Sequence, residues 1–278
     1  MTTTLNFGYK AQQAATYLEP KLSQTGLKPS VFMILGSGFR DAVKEWSTHL
    51  EIAMADIPGY PAPRVEGHGT KLIGARITLE QGKIDVLVAT GRIHLYEGYT
   101  AHSTCLPIFM AHELGISNII LTNAAGGVST KAKKGSIVAI SDHLNLMGQN
   151  VAAASTPDGR HNFVEMGNAY NSAWRESVCR DSGIESGIYA GMAGPSFETP
   201  AEAQMLRVMG ADLAGMSTVQ ETIAARMCGI NVFACSFVTN EAGGAGVDHT
   251  EVLKSVSQSF GTIKKTLESA ANYCAQKK

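Results

Sequence analysis

The 278-residue sequence predicts an α/β fold of one domain covering residues 1–278, on three observations. Residues 31–35 form a continuous apolar run, too short for a helix, that passes directly into Gly36, Ser37 and Gly38. Residues 118–122 form a second such run, feeding Asn123, Ala124, Ala125, Gly126 and Gly127. Between these and later apolar runs lie amphipathic stretches with helix start and stop signals, and no repeat, linker or composition shift divides the chain.

Composition narrows the class. With 44% hydrophobic residues, 17% charged residues and a net charge of −1, the chain reads as soluble and globular, with no basic surface for nucleic acid or membrane. No apolar run reaches about 18 residues and no charged-then-apolar leader opens the chain, so a cytoplasmic location is expected. The cysteines (Cys105, Cys179, Cys228, Cys235 and Cys274) are odd in number and widely spaced, which predicts reduced thiols. Neither they nor the histidines show a ligand spacing, so no metal is expected.

In chain order, Ala14, Ala15, Leu18 and Leu22 give residues 1–26 a helical period that breaks at Gly26 and Pro29. After the 31–35 strand, the glycine turn at 36–38 is either a plain strand-to-helix turn or a phosphate cradle with Ser37 as an added donor. Residues 56–70 hold three prolines and three glycines with Arg64 and His68, a loop long enough to serve a site. Residues 72–79 and 83–90 alternate around Gln81 and Gly82 as a hairpin, and the second strand is expected to run on into the segment 91–99. On such a strand, period two would place Arg92, His94 and Tyr96 on one side as an anion and hydroxyl site, or as the solvated face of an edge strand.

Residues 104–114 read as a helix closed by Gly115, 136–140 as a buried strand, and 145–168 as a long loop around Phe163. Residues 171–180 form a helix and 188–192 a strand. The stretch 193–218 then presents two helix starts. Thr199, Pro200 and Glu202 form a capping box with a helix stopped at Gly210, and Thr218 with Glu221 repeats the spacing. Either these are two ordinary capped helices or their N-termini face an anionic ligand. Residues 231–238 read as a strand ending at Thr239 and Asn240; Asp248 and Glu251 cap a final helix of about 25 residues with His249 in its first turn.

Taken together, GSG at 36–38, GRIHLYEGY at 91–99, TNAAGG at 122–127, AGPSFETPAE at 193–202, GMSTVQE at 215–221 and TN at 239–240, followed by HTEV at 249–252, resemble the trimeric, low-molecular-mass purine nucleoside phosphorylases, in order and over nearly the whole chain. The resemblance implies a mixed central sheet flanked by helices, a homotrimer, and phosphorolysis of inosine, guanosine and their deoxy forms to free base and (deoxy)ribose 1-phosphate in purine salvage. No cofactor is implied, inorganic phosphate being a co-substrate. Carried over residue by residue, it assigns phosphate to Ser37, Arg92, His94, the Ala124 backbone and Ser217. Ribose falls to Tyr96, Met216, His249 and nearby Tyr189, and the base to Phe197, Glu198 and Asn240. His94, Asn240 and Glu198 would carry the chemistry, with the loops at His68 and Phe163 as further candidates. Phe39-Arg40 and Glu241 depart from the family pattern. The alternatives are a xanthosine-preferring or methylthioadenosine-type phosphorylase, or a nucleoside- or phosphate-binding protein without turnover.

Overall fold

The computed structural model describes residues 3–36, 39–61, 69–80, 82–153, 163–244 and 259–277. Nine strands form one mixed sheet: β1 (Val31–Ile34), β2 (Ser47–Ala53), β3 (Lys71–Leu79), β4 (Gly82–Ala89), β5 (Asn118–Gly127), β6 (Ile137–Leu146), β7 (Glu185–Met192), β8 (Leu213–Gly215) and β9 (Asn231–Glu241). The order is β2-β3-β4-β1-β5-β8-β7-β6-β9, and a further β5–β9 pairing closes the last five strands on themselves. The helices are α1 (Thr3–Thr25), α2 (Ala101–Thr104), α3 (Leu106–Glu113), α4 (Ser172–Ser182), α5 (Pro200–Val208), α6 (Val219–Met227) and α7 (Phe260–Ala275).

β1 is apolar at every position because it is flanked by β4 and β5, both parallel, and covered on both faces. Leu18 of α1, Ile108 of α3 and Ile223 of α6 pack on one side of the sheet. Trp174 of α4 and Leu267 of α7 pack on the other, where the Trp174 indole Nε1 donates to the Ala270 carbonyl at 3.0 Å. Burial of such faces at about 25 cal/mol per Å² supplies most of the favourable free energy of folding.

Several boundaries differ from the sequence expectation. β5, β6 and β9 run past their apolar stretches through TNAAGG, to Leu146, and through Thr239-Asn240, because the glycine-rich and polar ends still find ladder partners. Gly126 pairs with Asn240 and Gly127 with Glu241, so two of the sequence motifs lie side by side. β4 instead stops at Ala89. Arg92, His94 and Tyr96 therefore follow the strand rather than sit on it, in an extended segment and a 3-10 turn at Leu95–Glu97. The helix expected over 104–114 is two short pieces, α2 and α3, with Pro107 at the start of the second. β2 and β8 were not legible as strands. The expected start of the last helix at Asp248 lies outside the described residues, which take up α7 at Phe260.

Gly194–Pro195 is cis, and it lies between β7 and α5. The Thr199 capping box is present: Thr199 N donates to Glu202 Oε2 at 2.8 Å and Glu202 N donates to Thr199 Oγ1 at 3.2 Å. The second expected box is not. Thr218 makes no side-chain cap among the described residues, and Glu221 is turned to another use.

Candidate active site

The polar ends of the strands converge on one open cleft with a cavity volume of about 230 Å³. Its walls come from the end of β1 (Gly36), the segment after β4 (Arg92, His94, Tyr96), the end of β5 (Asn123 to Gly126), the segment after β7 (Pro195, Phe197, Glu198), β8 with the turn after it (Ala214 to Ser217), and the end of β9 (Thr239, Asn240). This is the position expected of ligands in α/β sheets, beyond the carboxyl ends of the strands.

At the inner end Arg92 is 3% exposed. Its Nε and Nη2 donate to the two oxygens of Glu221 at 3.1 and 2.9 Å, and its Nη1 donates to the Thr122 carbonyl. A Cβ on Gly36 would come within 2.9 Å of Arg92 Nη1 and 2.5 Å of the Thr122 carbonyl oxygen, so the first glycine of the turn is needed for the close approach of β1 to β5. Beside them Thr218 occupies φ 67°, ψ −43°, a left-handed conformation costly for a β-branched residue, and Val219 N donates to Ser217 O at 2.7 Å across it as a γ-turn. The Thr218 hydroxyl accepts from Asn123 Nδ2 at 2.8 Å and lies 3.2 Å from the Ser217 hydroxyl. Asn123 Oδ1, also buried, has no hydrogen-bond partner among the described residues.

His94 is 8% exposed and stacks on Tyr96, with centroids 4.6 Å apart and planes 14° from parallel. Glu97 Oε1 accepts from the His94 backbone N–H at 2.7 Å and lies 3.1 Å from Nδ1, which favours the tautomer carrying its proton there. Burial holds the imidazole below its ordinary pKa despite this carboxylate, and the Arg92 charge acts the same way. Desolvation pushes the Tyr96 phenol up to about 12, so it is a neutral hydroxyl.

The outer end is looser. The Phe197 ring is 50% exposed. Glu198 is part-buried, and desolvation raises its carboxyl above the ordinary value, partly offset by a backbone hydrogen bond. Asn240 Oδ1 accepts from the Thr239 hydroxyl at 2.8 Å and its Nδ2 donates to the Glu241 carbonyl at 3.0 Å. One amide proton and one oxygen lone pair of Asn240 then remain for a ligand.

Of the residues singled out in the sequence, Arg92, His94, Tyr96, Ala124, Phe197, Glu198, Met216, Ser217 and Asn240 line this one cleft. Tyr189 does not. It is fully buried one layer behind, where its hydroxyl accepts from Ser217 N at 3.2 Å and so supports the turn. Phe163 is 98% exposed and outside the lining. Ser37, His68 and His249 lie outside the described residues. The sequence reading missed Glu221 as a site residue because its spacing from Thr218 matched a cap. The available signal was its company: Val219, Ile223, Ala224 and Ala225 are apolar, a composition that fits the burial of every α6 position from Val219 to Ala225, and a carboxylate there requires a cationic partner.

Residues 31–272 match the family model described as the phosphorylase superfamily. The chain is 42% identical over 246 residues to a purine nucleoside phosphorylase of Mycobacterium leprae (87% of this chain, 88% of that one), and 36% identical over 254 residues to purine nucleoside phosphorylase 1 of Bacillus subtilis (88% and 91%). Among solved structures, isoform 2 of the Schistosoma mansoni purine nucleoside phosphorylase, in complex with cytosine and ribose-1-phosphate, superposes with a TM-score of 0.84 at 29% identity, covering 95% of each chain. A Schistosoma mansoni purine nucleoside phosphorylase in complex with inosine superposes with a TM-score of 0.80 at 32% identity, covering 94% of this chain and 95% of that one. The chain belongs to the phosphorylase superfamily, among its purine nucleoside phosphorylases.

Proposed function

We infer that the cleft performs phosphorolysis of purine nucleosides, with phosphate at the inner end, the base at the outer end and the sugar between. One observation carries the reading. Arg92, a clamped anion donor, and Asn240, an amide with a donor and an acceptor to spare, line one cleft with Tyr96 and Met216. Breaking the glycosidic bond builds positive charge on the sugar and negative charge on the departing purine, so the enzyme gains by placing an anion near C1′ and hydrogen-bond partners at the base.

Phosphate is held by Arg92, the Ser217 hydroxyl, the Ala124 backbone N–H and His94, with Ser37 added by the resemblance. With its pKa held below 6.5 by burial, His94 is neutral near pH 7, and a phosphate dianion draws it toward the protonated form. Tyr96, Met216 and, by the resemblance, His249 hold the sugar, with Tyr189 acting through Ser217. Phe197 covers the purine, Glu198 accepts from N1–H, and Asn240 donates to O6 and accepts from N7–H as charge develops on the base. That pairing favours inosine and guanosine over adenosine and argues against a methylthioadenosine-type pocket, in which an acidic residue would stand at Asn240. The reaction needs no metal or cofactor beyond phosphate as co-substrate. A homotrimer working in cytoplasmic purine salvage completes the reading; the 98% exposure of Phe163 supports a neighbouring subunit covering it.

The direct test incubates the protein with inosine, guanosine, xanthosine and adenosine, with and without phosphate, and follows free base and sugar 1-phosphate. Phosphate-dependent release from the 6-oxopurine nucleosides is expected. Equal release without phosphate would identify a hydrolase, and binding without release a sensor. Light scattering should give three chains; an active monomer would remove the Phe163 role.

A further inference from the structure

Glu221 is buried to 4% exposure at the third position of α6, where its carboxylate could have capped the helix. Both of its oxygens accept instead from Arg92, at 3.1 Å from Nε and 2.9 Å from Nη2, across 129 residues of chain. A forked carboxylate fixes the plane of a guanidinium as a single acceptor cannot. The Thr122 carbonyl takes an Nη1 proton at the opposite edge. Of the five guanidinium N–H groups three are thereby engaged, and one on each Nη remains.

The two anchors belong to the two elements that carry the other anion donors. Thr122 precedes Asn123 and Ala124 on β5, and Glu221 follows the Ser217–Thr218 turn by one helical turn on α6. The clamp therefore sets Arg92 in register with both the Ala124 amide and the Ser217 hydroxyl. We propose that Glu221 is a positioning residue for phosphate, orienting Arg92 so that its two remaining N–H groups meet the anion together with those donors. The proposal rests on the reading of Arg92 as the phosphate-binding guanidinium.

Charge and geometry predict opposite signs, which makes the idea testable. A carboxylate acting by its field alone weakens anion binding, and its removal would lower the KM for phosphate. A carboxylate that positions Arg92 does the reverse. Glu221→Asp keeps the charge and shortens the reach, so it isolates geometry; Glu221→Gln keeps the shape and removes the charge. Steady-state kinetics with inorganic phosphate and inosine varied separately should show the phosphate KM rising tenfold or more in both variants, with the inosine KM within about twofold. A purely structural role would lower Tm and the active fraction while leaving both KM values unchanged, and that result overturns the proposal, as does a fall in phosphate KM. In a cycle with Arg92→Lys, adding Glu221→Gln should worsen phosphate use no further, because Glu221 acts through the fork that lysine lacks. If Arg92→Lys alone leaves phosphate KM unchanged, the reading of Arg92 fails; if it raises that KM while Glu221→Asp does not, the role of Glu221 fails.

Discussion

The two ends of the cleft are built to different standards. At the inner end Arg92 and Glu221 are 3% and 4% exposed, both are tied by several hydrogen bonds, and a strained turn is locked beside them. At the outer end the Phe197 ring is half exposed, Glu198 lies between the cis Gly194–Pro195 peptide and the cap of α5, and Asn240 shares its amide with its own chain neighbours. On the proposed reading, strand ends and a helix start hold the anion end, and a loop and a strand tip hold the base end. A rigid anion site suits a co-substrate that never varies, and a looser base site is where substrate preference can change without disturbing the rest.

The largest expected effect comes from breaking the rigid end. Arg92→Ala removes the anion donor and strands a buried carboxylate, which should destabilise the fold by roughly 3–5 kcal/mol. It should also remove most phosphate-dependent turnover, as kinetics on the folded fraction and a thermal melt will show. If the variant melts like the parent, the Glu221 pair is not the buried clamp described.

Asn240→Asp tests the loose end. An acceptor-only side chain accommodates a 6-amino group and repels O6, so the ratio of kcat/KM for adenosine over inosine should rise by a factor equivalent to roughly 1–3 kcal/mol, with little change in Tm. An unchanged ratio would mean that Asn240 does not meet the base.

A smaller effect concerns pH. Burial raises the Glu198 pKa above the ordinary 4.5, so the neutral acid, a weaker acceptor for N1–H than the carboxylate, becomes populated at a higher pH than for a solvated carboxyl. The KM for inosine should climb as pH falls through that raised value, and Glu198→Gln should abolish the limb. For His94 the sign concerns stability. Its folded pKa lies below the unfolded 6.5, so the unfolded state binds more protons in that window and stability declines as pH drops below about 6.5 toward the folded value. His94→Asn should flatten that decline in chemical denaturation measured across the range; an equally steep decline would assign it to another group.

Legibility in the sequence followed the same division. Apolar runs and capping signals exposed most of the elements, since burial and backbone satisfaction are local demands: α1, β1, the β3–β4 hairpin, α4, and α5 with its Thr199 box were all readable. The strand extensions were not, because the ends of β5 and β9 are stabilised by each other rather than by their own composition. The same holds at the site. Arg92, His94 and Tyr96 were found, though assigned to a strand that ends before them. Glu221 was hidden, because its partner lies 129 residues away and a cap explained its spacing equally well. Tyr189, carried over as a residue near the sugar, stands behind the cleft lining, where its hydroxyl accepts from Ser217 N.

The division of labour between the two ends is tested most directly by saturating the parent, Arg92→Ala and Asn240→Ala separately with phosphate and with inosine. Arg92→Ala should raise the phosphate KM far more than the inosine KM, and Asn240→Ala should impair kcat/KM for inosine while leaving the phosphate KM within about twofold, since no hydrogen bond among the described residues joins Asn240 to the Arg92 clamp. If both substitutions raise both KM values by similar factors, the ends are not separate and the account of the cleft is wrong.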